Sequence, residues 1–181
     1  SWSNKNRKEF LKIINKYNII VLEDDPYSLI NFTKSKYKSL YNLNKGRNII
    51  YLGTFSKLIS PSINVGYILS DKVDLLYLYK KSFDLCTNAF SQYVVLDYLK
   101  NNDLEQVINE KISFYKKQLK ESRKELNRKY KNKIVCLSKM KGGLFYLVKF
   151  KDKTNTEEFE DGSNYFIDGS HSDITRINIC S

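Results

Sequence analysis

The stretch Asn48-Ile49-Ile50-Tyr51-Leu52-Gly53-Thr54-Phe55-Ser56-Lys57 is an apolar run that stops abruptly in glycine, two hydroxyl residues and a lysine. A short continuous run of this kind suits a strand buried on both faces of a parallel sheet. Its polar end is where open α/β sheets bind ligands. Upstream, Ile19-Ile20-Val21-Leu22 is a second such run, closed by Glu23-Asp24-Asp25-Pro26, where acidic residues and proline stop it. Downstream, Val65-Gly66-Tyr67-Ile68-Leu69 follows a loop around Pro61. Apolar strands separated by loops and helix-like segments predict an α/β architecture.

The flanking segments follow helical spacing. Phe10, Leu11, Ile13 and Ile14 recur among charged residues between Asn4 and Tyr17, which predicts an amphipathic helix. Asp71 is placed to cap a helix reaching about Phe83, with Val73, Leu75, Leu76, Leu78 and Tyr79 as its apolar face. Further helices are expected over Ala89–Lys100 and Leu104–Tyr130. Strands are expected over Ile134–Leu137 and Leu144–Phe150, joined through Gly142-Gly143, and over Ile174–Ile179. The expected boundary lies near residue 100, dividing a larger domain (1–100) from a smaller α+β domain (101–181).

Composition narrows the function classes. The 181 residues are 41% hydrophobic and 28% charged, an ordinary balance for a globular protein. No apolar run approaches the roughly 20 residues of a membrane span. The N-terminal Ser1-Trp2-Ser3-Asn4-Lys5 lacks a basic-then-apolar secretory layout, so a cytoplasmic protein is expected. A net charge of +11 raises the question of nucleic acid, but the lysines are dispersed. The densest stretch, Lys116 to Lys133, interleaves Glu121, Glu125 and apolar residues, as a solvated helix face does. Cys86, Cys136 and Cys180 form no CxxC pair and His171 is the single histidine; reduced thiols, a solvated histidine and no metal site are expected.

Three local signals carry chemistry: Glu23-Asp24-Asp25-Pro26-Tyr27 after one strand, Gly53-Thr54-Phe55-Ser56-Lys57 after another, and Thr175-Arg176-Ile177-Asn178 on the last. Each alone has an ordinary reading: a solvated turn, a surface lysine, a snorkelling arginine. Together with Ile59-Ser60-Pro61-Ser62-Ile63-Asn64-Val65-Gly66-Tyr67, Phe83–Gln92 and Lys141–Tyr146, in this order, they resemble the fold-type I aminotransferases of class I/II, which depend on pyridoxal 5'-phosphate (PLP). The subgroup includes aminoadipate and kynurenine aminotransferases and the aminotransferase-like domain of MocR-type regulators.

That resemblance implies the C-terminal part of a PLP-dependent transferase fold, a mostly parallel sheet with flanking helices plus a small domain. It implies PLP as cofactor, an amino acid and a 2-oxo acid as substrates, and a homodimer. Lys57 is implied as the residue that carries the cofactor covalently and then moves a proton as a free amine. Asp24 is implied as the partner of the pyridine nitrogen, keeping it protonated, and Tyr27 as the partner of the ring's phenolic oxygen. Thr54 and Ser56 are implied as phosphate contacts. Arg176 is implied as the holder of the substrate α-carboxylate through a two-pronged guanidinium contact. Asp25 is expected to face solvent or the backbone.

Two departures accompany the match. Asn64 stands where the family places a phosphate-binding arginine, exchanging a charged donor for a neutral one. The family's upstream half, with its phosphate loop and ring-stacking aromatic residue, has no counterpart, so a piece of a longer chain is expected. A smaller gap supports the second: between Lys151 and Asn164 the chain is too short for the helix and strand the family fits there. Besides an aminotransferase, the resemblance leaves open a PLP- and amino-acid-sensing effector domain of a GntR/MocR-type regulator, reaching nucleic acid only through a separate domain, and a cofactor-free relative.

Overall fold

The computed structural model describes residues 2–33, 38–151, 159–171 and 173–180. The chain divides into two compact units: Ser1–Leu29 with Ser35–Val107, and Ile30–Lys34 with Ile108–Ser181.

In the first unit, α1 (Asn4–Lys16) begins where the Ser3 side chain accepts the Asn6 backbone N–H at 3.2 Å, the usual serine cap. Leu11 and Ile14 on its inner stripe are buried and pack on Ile49, with Phe10, Val21, Leu40, Tyr41 and Leu43 around them. Fully burying a leucine or isoleucine stabilises by about 1.5–3 kcal/mol, so this stripe fixes α1 against one face of the sheet. That sheet has the order β1-β2-β3, built from β1 (Val21–Asp24), β2 (Ile49–Thr54) and β3 (Gly66–Leu69). A short α2 (Leu40–Leu43) precedes β2, and a single 3-10 turn, Pro61–Ile63, precedes β3.

Several expectations change here. Strands β1 and β2 are parallel, but β2 and β3 are antiparallel, so this sheet is mixed where a mostly parallel one was expected. Strand β1 is not buried on both faces. Among the described residues it pairs on one side only, α1 and α2 cover one face, and Leu22 on the other is 66% exposed. The third helix, α3 (Val73–Asp84), is capped at Lys72 rather than Asp71 and has no side-chain cap bond. The Ser70 hydroxyl accepts the Lys72 N–H at 3.0 Å, which starts the helix one residue later than Asp71 would. Its apolar residues other than the half-buried Leu76 are exposed, Phe83 by 89%. Helix α4 (Ala89–Asn101) buries Val95 alone.

The second unit takes most of α5 (Leu104–Tyr130) and the antiparallel sheet β4-β5-β6, formed by Ile134–Leu137, Phe145–Phe150 and Ile174–Asn178. Along β5 the strand period of two puts Tyr146, Val148 and Phe150 inside and Leu147 outside. Rings of Tyr130, Phe150 and Phe159 meet at 5.5–5.7 Å, and the Tyr146 hydroxyl lies 2.9 Å from that of Ser122. Segment Ile30–Lys34 joins this unit because Phe32 N–H donates to the Lys141 carbonyl and Gly143 N–H to that of Ile30, each at 2.8 Å. Most of the shortened stretch noted above, residues 152–158, lies outside the described residues. Among the described residues no helix is long and apolar enough to cross a membrane.

Candidate active site

Side chains alternate between the faces of a strand, so the register of the first sheet sorts the candidate residues. Asp24 is paired with Leu52 and Leu22 with Ile50, while Thr54 is opposite Gly66; these share one face. Glu23 is paired with Tyr51, and Tyr51 with Leu69; these share the other.

The second face is occupied by the protein itself. Glu23 is buried, and its two oxygens accept the backbone N–H groups of Leu40 at 2.7 Å and Tyr41 at 2.9 Å. A carboxylate on the first N–H groups of a helix satisfies donors that have no partner within the helix. Asp25 turns to this side. Its carboxylate accepts the Ser28 backbone N–H at 3.0 Å and the Tyr51 hydroxyl at 3.1 Å. Burial, and then the Asp25 charge, push the Tyr51 phenol well above its ordinary value. Asp25 is therefore committed to holding the loop after β1, through a side-chain contact to Tyr51 as well as the backbone.

Asp24, one residue earlier, lies on the opposite face. It is exposed, and its carboxylate has no hydrogen bond or ion pair with any other described residue. The following loop carries Tyr27, which is half-buried.

Strand β2 leads into a tight turn that presents Lys57. Phe55 N–H donates to the Val65 carbonyl at 3.0 Å, and the Phe55 carbonyl accepts Leu58 N–H at 3.1 Å and Ile59 N–H at 2.8 Å. The Thr54 hydroxyl accepts the Ser56 N–H at 3.1 Å and donates to the Val65 carbonyl at 3.3 Å. Leu58 is buried and anchors the turn, whereas Lys57 and Ser56 are half-exposed with no side-chain partner among the described residues. Gly53 is required for this packing: a Cβ there would stand 2.7 Å from Tyr67 Cε1 and 2.6 Å from Tyr67 Oη. Tyr67 covers the glycine and meets Phe55, ring to ring, at 5.3 Å.

Asn64 ends the 3-10 turn in the left-handed conformation, φ 50° and ψ 38°, and is exposed. Asparagine adopts that region far more readily than most non-glycine residues. The backbone thus supplies its own reason for an asparagine at this position.

Arg176 stands on β6 in the second unit, opposite Leu147. Its guanidinium lies 4.4 Å from the Phe145 ring centre and 4.9 Å from that of Tyr165, and its Nη2 is 3.5 Å from Glu160 Oε2. Sequence reasoning identified none of these three neighbours. Glu160 is sixteen residues away in sequence, and only the loop and the 3-10 turn Gly162–Tyr165 bring it back to β6. Asp24, Tyr27, Thr54, Ser56, Lys57 and Asn64 all belong to the first unit.

A family model for aminotransferase class I and II matches residues 2–168. Aromatic-amino-acid aminotransferase 1 of Thermococcus litoralis is 31% identical over 155 residues, covering 84% of this chain and 37% of that protein. The crystal structure of Pyrococcus horikoshii kynurenine aminotransferase, in complex with PMP, superposes with a TM-score of 0.84 at 29% identity, covering 100% of this chain and 48% of that one. The HTH-type transcriptional regulator YisV of Bacillus subtilis is 28% identical over 67% of this chain, which covers 25% of the regulator. The chain thus spans less than half the length of each of these relatives.

Proposed function

The chain belongs to the aminotransferase class I and II family, and from this we propose that it is the lysine-bearing portion of a PLP-dependent aminotransferase exchanging an amino group between an amino acid and a 2-oxo acid. One observation carries the reading. Adjacent parallel strands end in a carboxylate, Asp24, and lead to an amine, Lys57, neither with a side-chain partner among the described residues, while the neighbouring acids Glu23 and Asp25 are committed to the opposite face. An amine, a carboxylate and the Ser56 hydroxyl left without side-chain partners among the described residues are a donor set that fits an aldehyde, a ring nitrogen and a phosphate.

In this reading PLP supplies, when bound, an electron-accepting ring that lets the substrate Cα–H bond break. Lys57 would hold the aldehyde carbon and, as the amine freed by the incoming amino group, would move the proton between the substrate Cα and the cofactor C4′. Asp24 holds the proton on the ring nitrogen. Tyr27 donates to the phenolic oxygen. Ser56 donates to the phosphate, Thr54 does so by exchanging its long contact to Val65, and Asn64 contributes a neutral amide. Arg176 orients the substrate through its carboxylate.

The test is chemical. Full-length protein is mixed with PLP, reduced with borohydride and digested, and the adduct is located by mass spectrometry. We expect one modified lysine, Lys57, and no stable adduct or transamination from Lys57→Ala. A label on another lysine, or none, refutes the proposal.

A second reading has its own support. The likeness to YisV and the neutral Asn64 favour an effector domain that binds PLP and an amino acid without turnover. A Lys57 adduct with no amino-group transfer to any 2-oxo acid would select it. We further propose that the protein works in the cytoplasm as a homodimer. The exposed apolar side chains of α3, of α4 and of Leu85, which follows α3, among them Phe83, Leu85, Phe90 and Tyr93 at 71–89% exposure, support an assembly, and sedimentation of the full-length protein decides it.

A further inference from the structure

We propose that Glu160 is a built-in competitor for the carboxylate site on Arg176, its own carboxylate occupying the guanidinium edge that a substrate carboxylate must take. The inference rests on the reading of Arg176 as a carboxylate holder.

The geometry around Arg176 restricts how a ligand can approach. Rings of Phe145 and Tyr165 lie 4.4 and 4.9 Å from the guanidinium carbon. Aromatic rings this close attract the cation and hold it in place. A carboxylate engages the guanidinium along its N–H edge, where the fork of donors lies. Glu160 Oε2 is already there, 3.5 Å from Nη2.

That contact is suited to being displaced. A charge-assisted bond between these groups runs about 2.7–2.9 Å and is strongest when two-pronged. The Glu160 contact is longer and involves a single nitrogen, and both side chains are partly exposed, by 40% and 49%. A ligand carboxylate making two short bonds outcompetes it. Glu160 nevertheless remains nearby when displaced. Its backbone carbonyl accepts the hydroxyl of Thr175 at 2.7 Å, and Thr175 is fully buried. The Tyr165 ring that packs on the guanidinium also sits beside Glu160, whose carboxylate pushes the Tyr165 phenol above its ordinary value. The consequence is selectivity: a ligand that reaches Arg176 with one weak prong does not displace the resident acid, and one with a well-placed carboxylate does.

The experiment uses the full-length, PLP-loaded protein and two probes, hydrocinnamate and its neutral amide, with dissociation constants from titration calorimetry. Glu160→Gln keeps the size and the backbone contact to Thr175 but removes the charge. An exposed ion pair of this kind should alter competing carboxylate binding roughly two- to fivefold. We expect Glu160→Gln to tighten hydrocinnamate by that factor and leave the amide unchanged. Arg176→Gln should abolish hydrocinnamate binding, and the double variant should show no gain. If Arg176→Gln abolishes binding but Glu160→Gln brings no gain, the competitor is refuted and the role of Arg176 stands. If hydrocinnamate binds equally well without the arginine, or binds neither the parent protein nor Glu160→Gln, both fall. An equal gain for the amide, or an equal gain from Asp161→Asn, would reduce the effect to loop loosening or net charge and overturn the proposal.

Discussion

Asp24 and Asp25 are chemically identical neighbours, and the structure gives them opposite duties that mutation separates. Asp25 accepts the Ser28 backbone N–H and the Tyr51 hydroxyl. Asp25→Ala removes both acceptors and strands a hydroxyl on Tyr51, which is only 9% exposed. A buried donor left without an acceptor costs about 1–3 kcal/mol, and the hydrogen bond to Ser28 adds part of a further 1.5 kcal/mol or so. The expected loss is about 2–3 kcal/mol. Asp24 is exposed, and its carboxylate has no partner among the described residues, so Asp24→Asn should change stability by no more than about 0.5 kcal/mol. Cofactor affinity should move the other way. Losing a charged hydrogen bond to the ring nitrogen weakens PLP roughly ten- to a hundredfold in Asp24→Asn, while folded Asp25→Ala retains parental affinity. Urea denaturation followed by circular dichroism gives the first quantity, provided the slope with denaturant is unchanged. Absorbance titration with PLP gives the second. A Tyr51→Phe, Asp25→Ala cycle should show a coupling of at least about 0.5 kcal/mol, as expected for residues in contact. The assignment of faces fails if Asp24→Asn is the destabilised variant, or if Asp25→Ala is the one that loses PLP.

Two further outcomes follow from the same sheet. Gly53→Ala drives a methyl group into the edge of the Tyr67 ring and should cost about 1–3 kcal/mol as an overpacked contact, with much of the loss recovered by adding Tyr67→Ala; a cost that persists in the double variant would locate the strain elsewhere. Tyr51 has its phenol pushed above the ordinary value of 10.0, by burial first and the Asp25 charge second. The neutral phenol is therefore favoured in the folded state, so this contribution to stability is fully present below about pH 10 and is lost as pH rises through the folded-state value. Denaturation midpoints across that alkaline window should fall more steeply for the parent protein than for Tyr51→Phe, and equal slopes would contradict the burial argument.

The elements were largely legible in the residues because their signals are local. The helices α1, α4 and α5 follow from apolar spacing near 3.6, and the strands from short apolar runs bounded by glycine, proline and acids. Boundaries shifted by a residue or two, as in α3, whose cap is Lys72 rather than Asp71, with the Ser70 hydroxyl taking the Lys72 N–H. Even the two candidate residues Asp24 and Lys57 are written in the order of two motifs, each standing at the end of an apolar run.

What the chain by itself could not determine is what each polar group has for company. Asp24 and Asp25 differ by one position, and only the register of β1 on β2, together with Tyr51 on the far face, decides which of them has no partner among the described residues. Asn64 reads in sequence as a lost charge, whereas its left-handed backbone gives asparagine a conformational purpose. Glu160 and Arg176 carry no mutual signal, since ion pairing depends on a distance of a few ångströms that a separation of sixteen positions leaves open. Periodicity is a property of neighbours along the chain and survives in the text of the sequence. Contact between distant side chains exists only once the backbone has turned back on itself.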